Sequence, residues 1–158
     1  MSFTAAPEVE RVRRYVQNFD PALEPREYPE STETAVDAAR VLGVELGQIA
    51  KSILFKCGER YGLFILAGDM RMDQKKVKEL LGGGKTKVAS PEEVEQVTGF
   101  KVGGVCPFAL KTEIPVFLDR SMQRFAKIYT AAGSSRAVLP LTFVQLEAIT
   151  GGRVIDVN

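Results

Sequence analysis

The sequence contains no histidine, and that absence sorts its other reactive residues. Ser-His-Asp and Cys-His catalysis are excluded, as is an HExxH zinc site, and the usual general base near neutral pH is missing. Lysines, carboxylates, hydroxyls, thiols and backbone amides remain, together with whatever a substrate brings. The most suggestive stretch is KVGGVCPFAL, Lys101–Leu110. Gly103 and Gly104 permit positive φ and close backbone approach, while Pro107 fixes its own φ and lacks an N–H. Such a stretch either turns the chain or holds a substrate. Cys106 within it is a small apolar filler or a nucleophile, and a nucleophile would need activation by a lysine or a helix end.

Lys51 is the second candidate. It follows VELGQIA, which reads as one or two helical turns, and precedes the apolar SILF, so it stands where a helical segment gives way to a strand. Ile49, Ala50, Ile53 and Leu54 around it imply a partly buried stem. It is either a lysine that snorkels at a strand end or a fixed cation for a phosphate or carboxylate.

Other polar features read more plainly. Asp37, Asp69, Asp73 and Asp119 are scattered without ligand spacing, so no metal site is expected. LGGGKTK (81–87) resembles a phosphate-binding P-loop, but Glu79 stands where the first glycine is required. The segment also leaves a helix instead of joining a strand to one. Lys75, Lys76, Lys78, Lys85, Lys87 and Lys101 read first as solvated charges, with phosphate contact as the alternative. No aromatic RNA-binding strand is present.

The elements that must position these residues follow from periodicity and caps. Val12, Tyr15, Val16 and Phe19 give an amphipathic helix over about Pro7–Phe19. DPALEPREYPES is an extended connector, and Ser31, Thr32 or Thr34 caps a helix ending at Gly43. SILFKC and YGLFILAG form a β-hairpin around GER. MDQKKVKELL is a helix burying Val77, Leu80 and Leu81. SPEEVEQVTG is another, with a Ser90/Glu93 capping box and Gly99 as terminator. IPVFLD, KIYTAAG and AVLPL are strands, TFVQLEAITGG is a helix with a Thr142/Gln145 box, and RVIDV is a closing strand. Helices and strands do not alternate strictly. The expected architecture is α/β of the α+β type: a mixed, strongly curved sheet approaching a barrel, with helices packed outside.

Composition sets the outer bounds. At 158 residues, 45% hydrophobic and 26% charged, the chain fits one globular domain, 1–158, of which 1–24 form the first helix and connector. Net charge is +1, which gives no global pull toward nucleic acid. No apolar run approaches the ~18–20 residues of a membrane span, and the N-terminus lacks a signal-peptide pattern. Neither a membrane nor DNA is expected as a partner. Cys57 and Cys106 form no CxxC motif and are expected as free thiols in a cytoplasmic protein.

TAVDAARVLGVELGQIAKSILFK, LAGDMRMDQKKVKELLG, KVASPEEVEQVTGFKVGGVCPFAL and LTFVQLEAITGG together resemble the YbaK/EbsC family. That family includes the editing domain inserted in bacterial prolyl-tRNA synthetases and its free-standing relatives. The resemblance spans roughly 25–157. Its two specific marks are a lysine before a hydrophobic strand, here Lys51, and a GxxxP loop, here Gly103-Gly104-Val105-Cys106-Pro107.

The resemblance implies hydrolysis of mischarged aminoacyl-tRNA at the 3′-terminal adenosine, without metal or cofactor. Loop amides would serve as an oxyanion hole and Lys51 would orient the terminal phosphate or adenosine. Ser52, Thr32 and Gly133 are assigned to substrate binding. The proton of the attacking water would pass to the substrate's ribose hydroxyl or amine, or to another water. Ala131 and Val138 occupy positions that carry serine and aspartate in some members, notably the cysteinyl-tRNA-directed ones, which disfavours a close copy of the cysteinyl-tRNA deacylase and leaves the small amino acid open among alanyl, seryl, cysteinyl and threonyl esters. An aminoacyl-tRNA synthetase or elongation factor is a possible partner. The alternative is an idle module of the same fold that binds tRNA or a synthetase. A small-molecule esterase is weaker, since GxSxG is absent.

Overall fold

The computed structural model describes residues 6–156. Val157 of the expected closing strand, and residues 1–5 of the N-terminus, lie outside the described residues. Eight strands form one mixed sheet: β1 (Arg26–Glu27), β2 (Ile49–Cys57), β3 (Arg60–Ala67), β4 (Thr86–Val88), β5 (Val116–Asp119), β6 (Ile128–Ala131), β7 (Ala137–Leu141) and β8 (Arg153–Ile155). Five helices surround it: α1 (Pro7–Gln17), α2 (Ala35–Leu42), α3 (Gln74–Leu80), α4 (Pro91–Thr98) and α5 (Phe143–Thr150). The strand order is β1-β7-β6-β2-β3-β5-β8, with β4 added beside β2. The end strands β1 and β8 are not hydrogen-bonded neighbours, so this is the expected mixed sheet with helices around it, and it is not closed.

Local signals built the elements where they were strong. The β2–β3 hairpin turns at Gly58, in the left-handed region at φ 63°. Ser90 and Glu93 exchange side-chain and backbone hydrogen bonds at the start of α4, and Thr142 and Gln145 do the same for α5. Thr34 caps α2, and Gly43, at φ 68°, ends it. Four points go beyond or against expectation. Phe19 lies beyond α1 and is 53% exposed, while Val9, Val12 and Val16 carry the buried stripe. The connector contains β1, paired with β7, and the glycine-rich exit of α3 leads into β4. Leu80 is only partly buried beside Val77 and Leu81.

The main core gathers α1, α4, α5 and one face of the sheet, through Val12, Phe100, Phe108, Leu139 and Leu146. On the other face, Phe55, Phe64 and Phe117 pack with Val77 and Leu81, and the Phe64 and Phe117 rings stack at 4.6 Å. A third cluster seats α2 on Ile49 and Tyr129. Among the described residues, no helix is long and apolar enough to cross a membrane.

Candidate active site

The site begins as a gap in the sheet. β6 pairs with β2 only at Ile49 and Ala50, and β4 pairs with β2 only from Phe55 onward. Between them Lys51, Ser52 and Ile53 have a strand partner on one side alone, β3. A cavity of about 400 Å³ opens there, a size that suits a small-molecule ligand. It is bounded by the start of α2, the start of α4 and the loop before Phe108.

Lys51 lies three residues into β2, opposite Leu66, and not ahead of the strand as expected; a 3₁₀ turn at Leu46–Gln48 precedes the strand. Burial holds its ammonium below the ordinary lysine value; Asp69 opposes that shift and Arg71 adds to it. Asp69 is itself committed to Arg124, with guanidinium nitrogens 2.6 and 3.0 Å from its two oxygens. Among the described residues Lys51 forms no ion pair, so it lines the cavity as an uncommitted cation.

The GxxxP loop closes the opposite wall. Gly103 and Val105 line the cavity. Gly103 has φ 95°, a left-handed conformation that favours glycine, and Glu33 packs over it, with its Cγ 2.7 Å from where a Cβ would stand. The Gly104 amide donates to the Lys101 carbonyl at 2.9 Å. Gly104 and Gly133 line a smaller neighbouring pocket and not the main cavity. Cys106 is fully buried, and burial pushes its thiol up to about 12. Such a thiol is a packing group and no nucleophile at neutral pH. Pro107 is buried behind the loop.

Arg11 of α1 braces this loop from below. Its guanidinium lies 4.3 Å over the Phe100 ring and donates to the carbonyls of Thr98 and Gly99, at the end of α4.

Of the expected substrate-binding residues, Ser52 and Thr32 line the cavity. Thr32 does not cap α2; its hydroxyl donates to the Ser135 carbonyl. Gly133 meets the start of α1, where a Cβ would lie 2.8 Å from the Glu8 carbonyl oxygen. Among the lining residues that escaped the sequence reading are Glu33, the cavity's carboxylate, and Thr130 on β6. Alternation along IYTA, with Ile128 and Thr130 buried, marks the inward face on which Thr130 sits. Ala131 and Val138 pair across β6 and β7, and both line the cavity. No group of carboxylates and thiols among the described residues is placed to hold a metal ion.

Residues 29–149 match the model of the aminoacyl-tRNA editing domain. The chain belongs to that family. It is 36% identical over 148 residues to the uncharacterized protein YwhH of Bacillus subtilis, covering 92% of this chain and 94% of the relative. A solved structure provisionally described as a trans-editing enzyme for prolyl tRNA synthetase superposes with a TM-score of 0.90 at 36% identity, over 98% of this chain and 99% of that one. The proline–tRNA ligase of Bacillus licheniformis is 35% identical over 106 residues, which are 67% of this chain but 18% of the ligase. The chain thus corresponds to less than a fifth of that synthetase. The segment from α2 through Ile149 of α5 lies within the matched family model, whereas α1, with Arg11, precedes it.

Proposed function

We propose that the protein hydrolyses the ester joining a small amino acid to the 3′-terminal adenosine of a mischarged tRNA, acting in trans. The observation that carries this reading is Lys51, in no ion pair among the described residues, lining the same sheet gap as the glycine loop. An aminoacyl ester is already activated, so the protein must place a water, support the developing oxyanion and exclude larger side chains. With the Gly104 amide engaged by Lys101, the amides of Gly103 and Val105 are the loop donors assigned to the oxyanion. Pro107 behind them limits reorganisation of the loop. Lys51 orients the terminal phosphate or ribose, and its role is position and charge, not proton transfer. Val88 and Val102, 55% and 52% exposed at the cavity wall, offer an apolar surface for the terminal base. The attacking water's proton goes to a group of the substrate or to a second water.

The test is deacylation of a panel of misacylated tRNAs by the purified protein, beside Lys51→Ala. Release of one small amino acid, lost in the variant, supports the reading. Full-rate release by Lys51→Ala removes the role given to that residue. No release from any ester, with tRNA or synthetase binding retained, transfers the assignment to an idle binding module.

A further inference from the structure

Thr130 is 1% exposed, lines the cavity, and its hydroxyl has no hydrogen-bond partner among the described residues. The Ser52 hydroxyl is buried and unpartnered in the same cavity. A buried hydroxyl without a partner is destabilising, and two in one cavity are a polar floor awaiting a polar ligand group. They share a face: Thr130 pairs with Ala50 in parallel register, and Ser52 lies two residues further along β2. That face carries Leu54 and leads into the main core, whereas Lys51 alternates to the other. The hydroxyls therefore lie at the inner side of the sheet gap, apart from the lysine that would orient the ester.

We infer that Thr130 and Ser52 select an acyl group bearing a side-chain hydroxyl, so that the preferred ester is seryl or threonyl and not alanyl or 2-aminobutyryl. This rests on the deacylase reading above and names its substrate class. Every aminoacyl ester also brings an α-ammonium, but the floor offers it no charge. Glu33, packed over Gly103 at the cavity wall, is the carboxylate placed for the ammonium. The other inner walls, Ala50, Leu54, Val94 and Val105, are apolar. A substrate hydroxyl can donate to or accept from a floor hydroxyl, whereas a methyl in its place leaves the floor unpaired. A pocket that merely accommodates a hydroxyl discriminates weakly, but one built to bond it penalises the analogue that lacks it.

The experiment compares kcat/KM for seryl-, threonyl-, alanyl- and 2-aminobutyryl-tRNA with the wild type, Thr130→Val and Thr130→Ser. Valine keeps the branched shape and strand preference, and thermal unfolding checks that each variant folds. The wild type should favour seryl or threonyl over 2-aminobutyryl by about 10-fold or more, the Thr130→Val ratio should fall about 10-fold or more, and Thr130→Ser should restore it. A wild-type preference for alanyl or 2-aminobutyryl overturns the inference. So does an equal loss on all four esters in Thr130→Val, which would mark a packing or ammonium role. If the wild type releases no amino acid, the deacylase reading fails separately. Binding of 3′-amide-linked seryl- and 2-aminobutyryl-adenosine then decides the side-chain preference alone: tighter seryl binding that Thr130→Val abolishes supports it, and equal binding overturns it.

Discussion

Gly104 lies against Gly133 with no room for a side chain between them: a Cβ at position 104 would stand 2.8 Å from the Gly133 carbonyl carbon, and the Gly133 amide donates to the Gly104 carbonyl at 3.0 Å. Gly133 is pressed in turn onto the backbone of Glu8 and Val9. The loop that carries Gly103 and Val105 is therefore fixed from behind by α1 and the β6–β7 connection. Gly104→Ala must push these backbones apart, which should cost about 1–3 kcal/mol of stability by overpacking. Deacylation should drop by about 10-fold or more, because loop amides displaced by a fraction of an ångström no longer aim at the oxyanion. Thermal unfolding and kcat/KM on one ester measure the two effects. A stable, fully active Gly104→Ala would show that the loop's shape does not depend on this contact.

Lys51 should impose an alkaline limb on activity. Burial lowers its pKa in the folded protein. The cation is present below that lowered value and lost as pH rises through it, so activity should decline on the alkaline side before an ordinary lysine would titrate. Lys51→Arg keeps the charge to far higher pH and should move the limb upward, even where its different geometry lowers the plateau. Lys51→Ala should lose about 100-fold or more in kcat/KM and show no such limb. The profiles are measured after subtracting spontaneous ester hydrolysis, and a limb that persists in Lys51→Ala would assign it to another group.

The capping boxes and the hairpin were legible in the sequence because each is a local pattern with its own geometry. What escaped it depends on distant partners. β1 is two residues long and exists only because Arg26 and Glu27 pair with Val138 and Ala137. Thr32 has the chemistry of a cap, yet its hydroxyl goes to a carbonyl 103 residues away. β4 is a three-residue addition to β2 that follows three glycines, so no local period announces it. Thr130 looks like an ordinary strand threonine until its pairing with Ala50 puts it in the sheet gap. Glu33 follows the same logic, since only the folded loop brings Gly103 under it.

Glu93 should govern part of the acid stability. Its carboxylate accepts from Lys56 at 2.6 Å, from the Ser90 amide at 3.0 Å and from the Tyr61 hydroxyl at 2.8 Å. The Lys56 bond, then the Ser90 amide and the Tyr61 hydroxyl, hold its pKa at about 2 against the usual 4.5. A carboxylate lowered on folding stabilises the folded state above its unfolded pKa, and that contribution is lost as pH falls from about 4.5 toward 2. Glu93→Gln keeps the capping shape but removes this titration, so its stability should change less with pH across that window than the wild type's. Urea unfolding at a series of acid pH values tests it, and parallel wild-type and variant curves would refute the linkage.

Cys106 should prove dispensable for chemistry and useful for packing. Its thiol is buried in the main core, is pushed up to about 12 by that burial, and approaches the Phe108 carbonyl only at 4.0 Å. Thiolate is then negligible at neutral pH, so thiol-directed alkylation of the folded protein should leave activity intact. Cys106→Ala should retain deacylation within about 3-fold while losing about 1–2 kcal/mol of stability, since it removes a buried sulfur and leaves a small void. Cys106→Ser has nearly the same shape but brings a hydroxyl into apolar surroundings, so it should be the less stable of the two. Activity lost in both variants while folding persists would return a chemical role to the thiol.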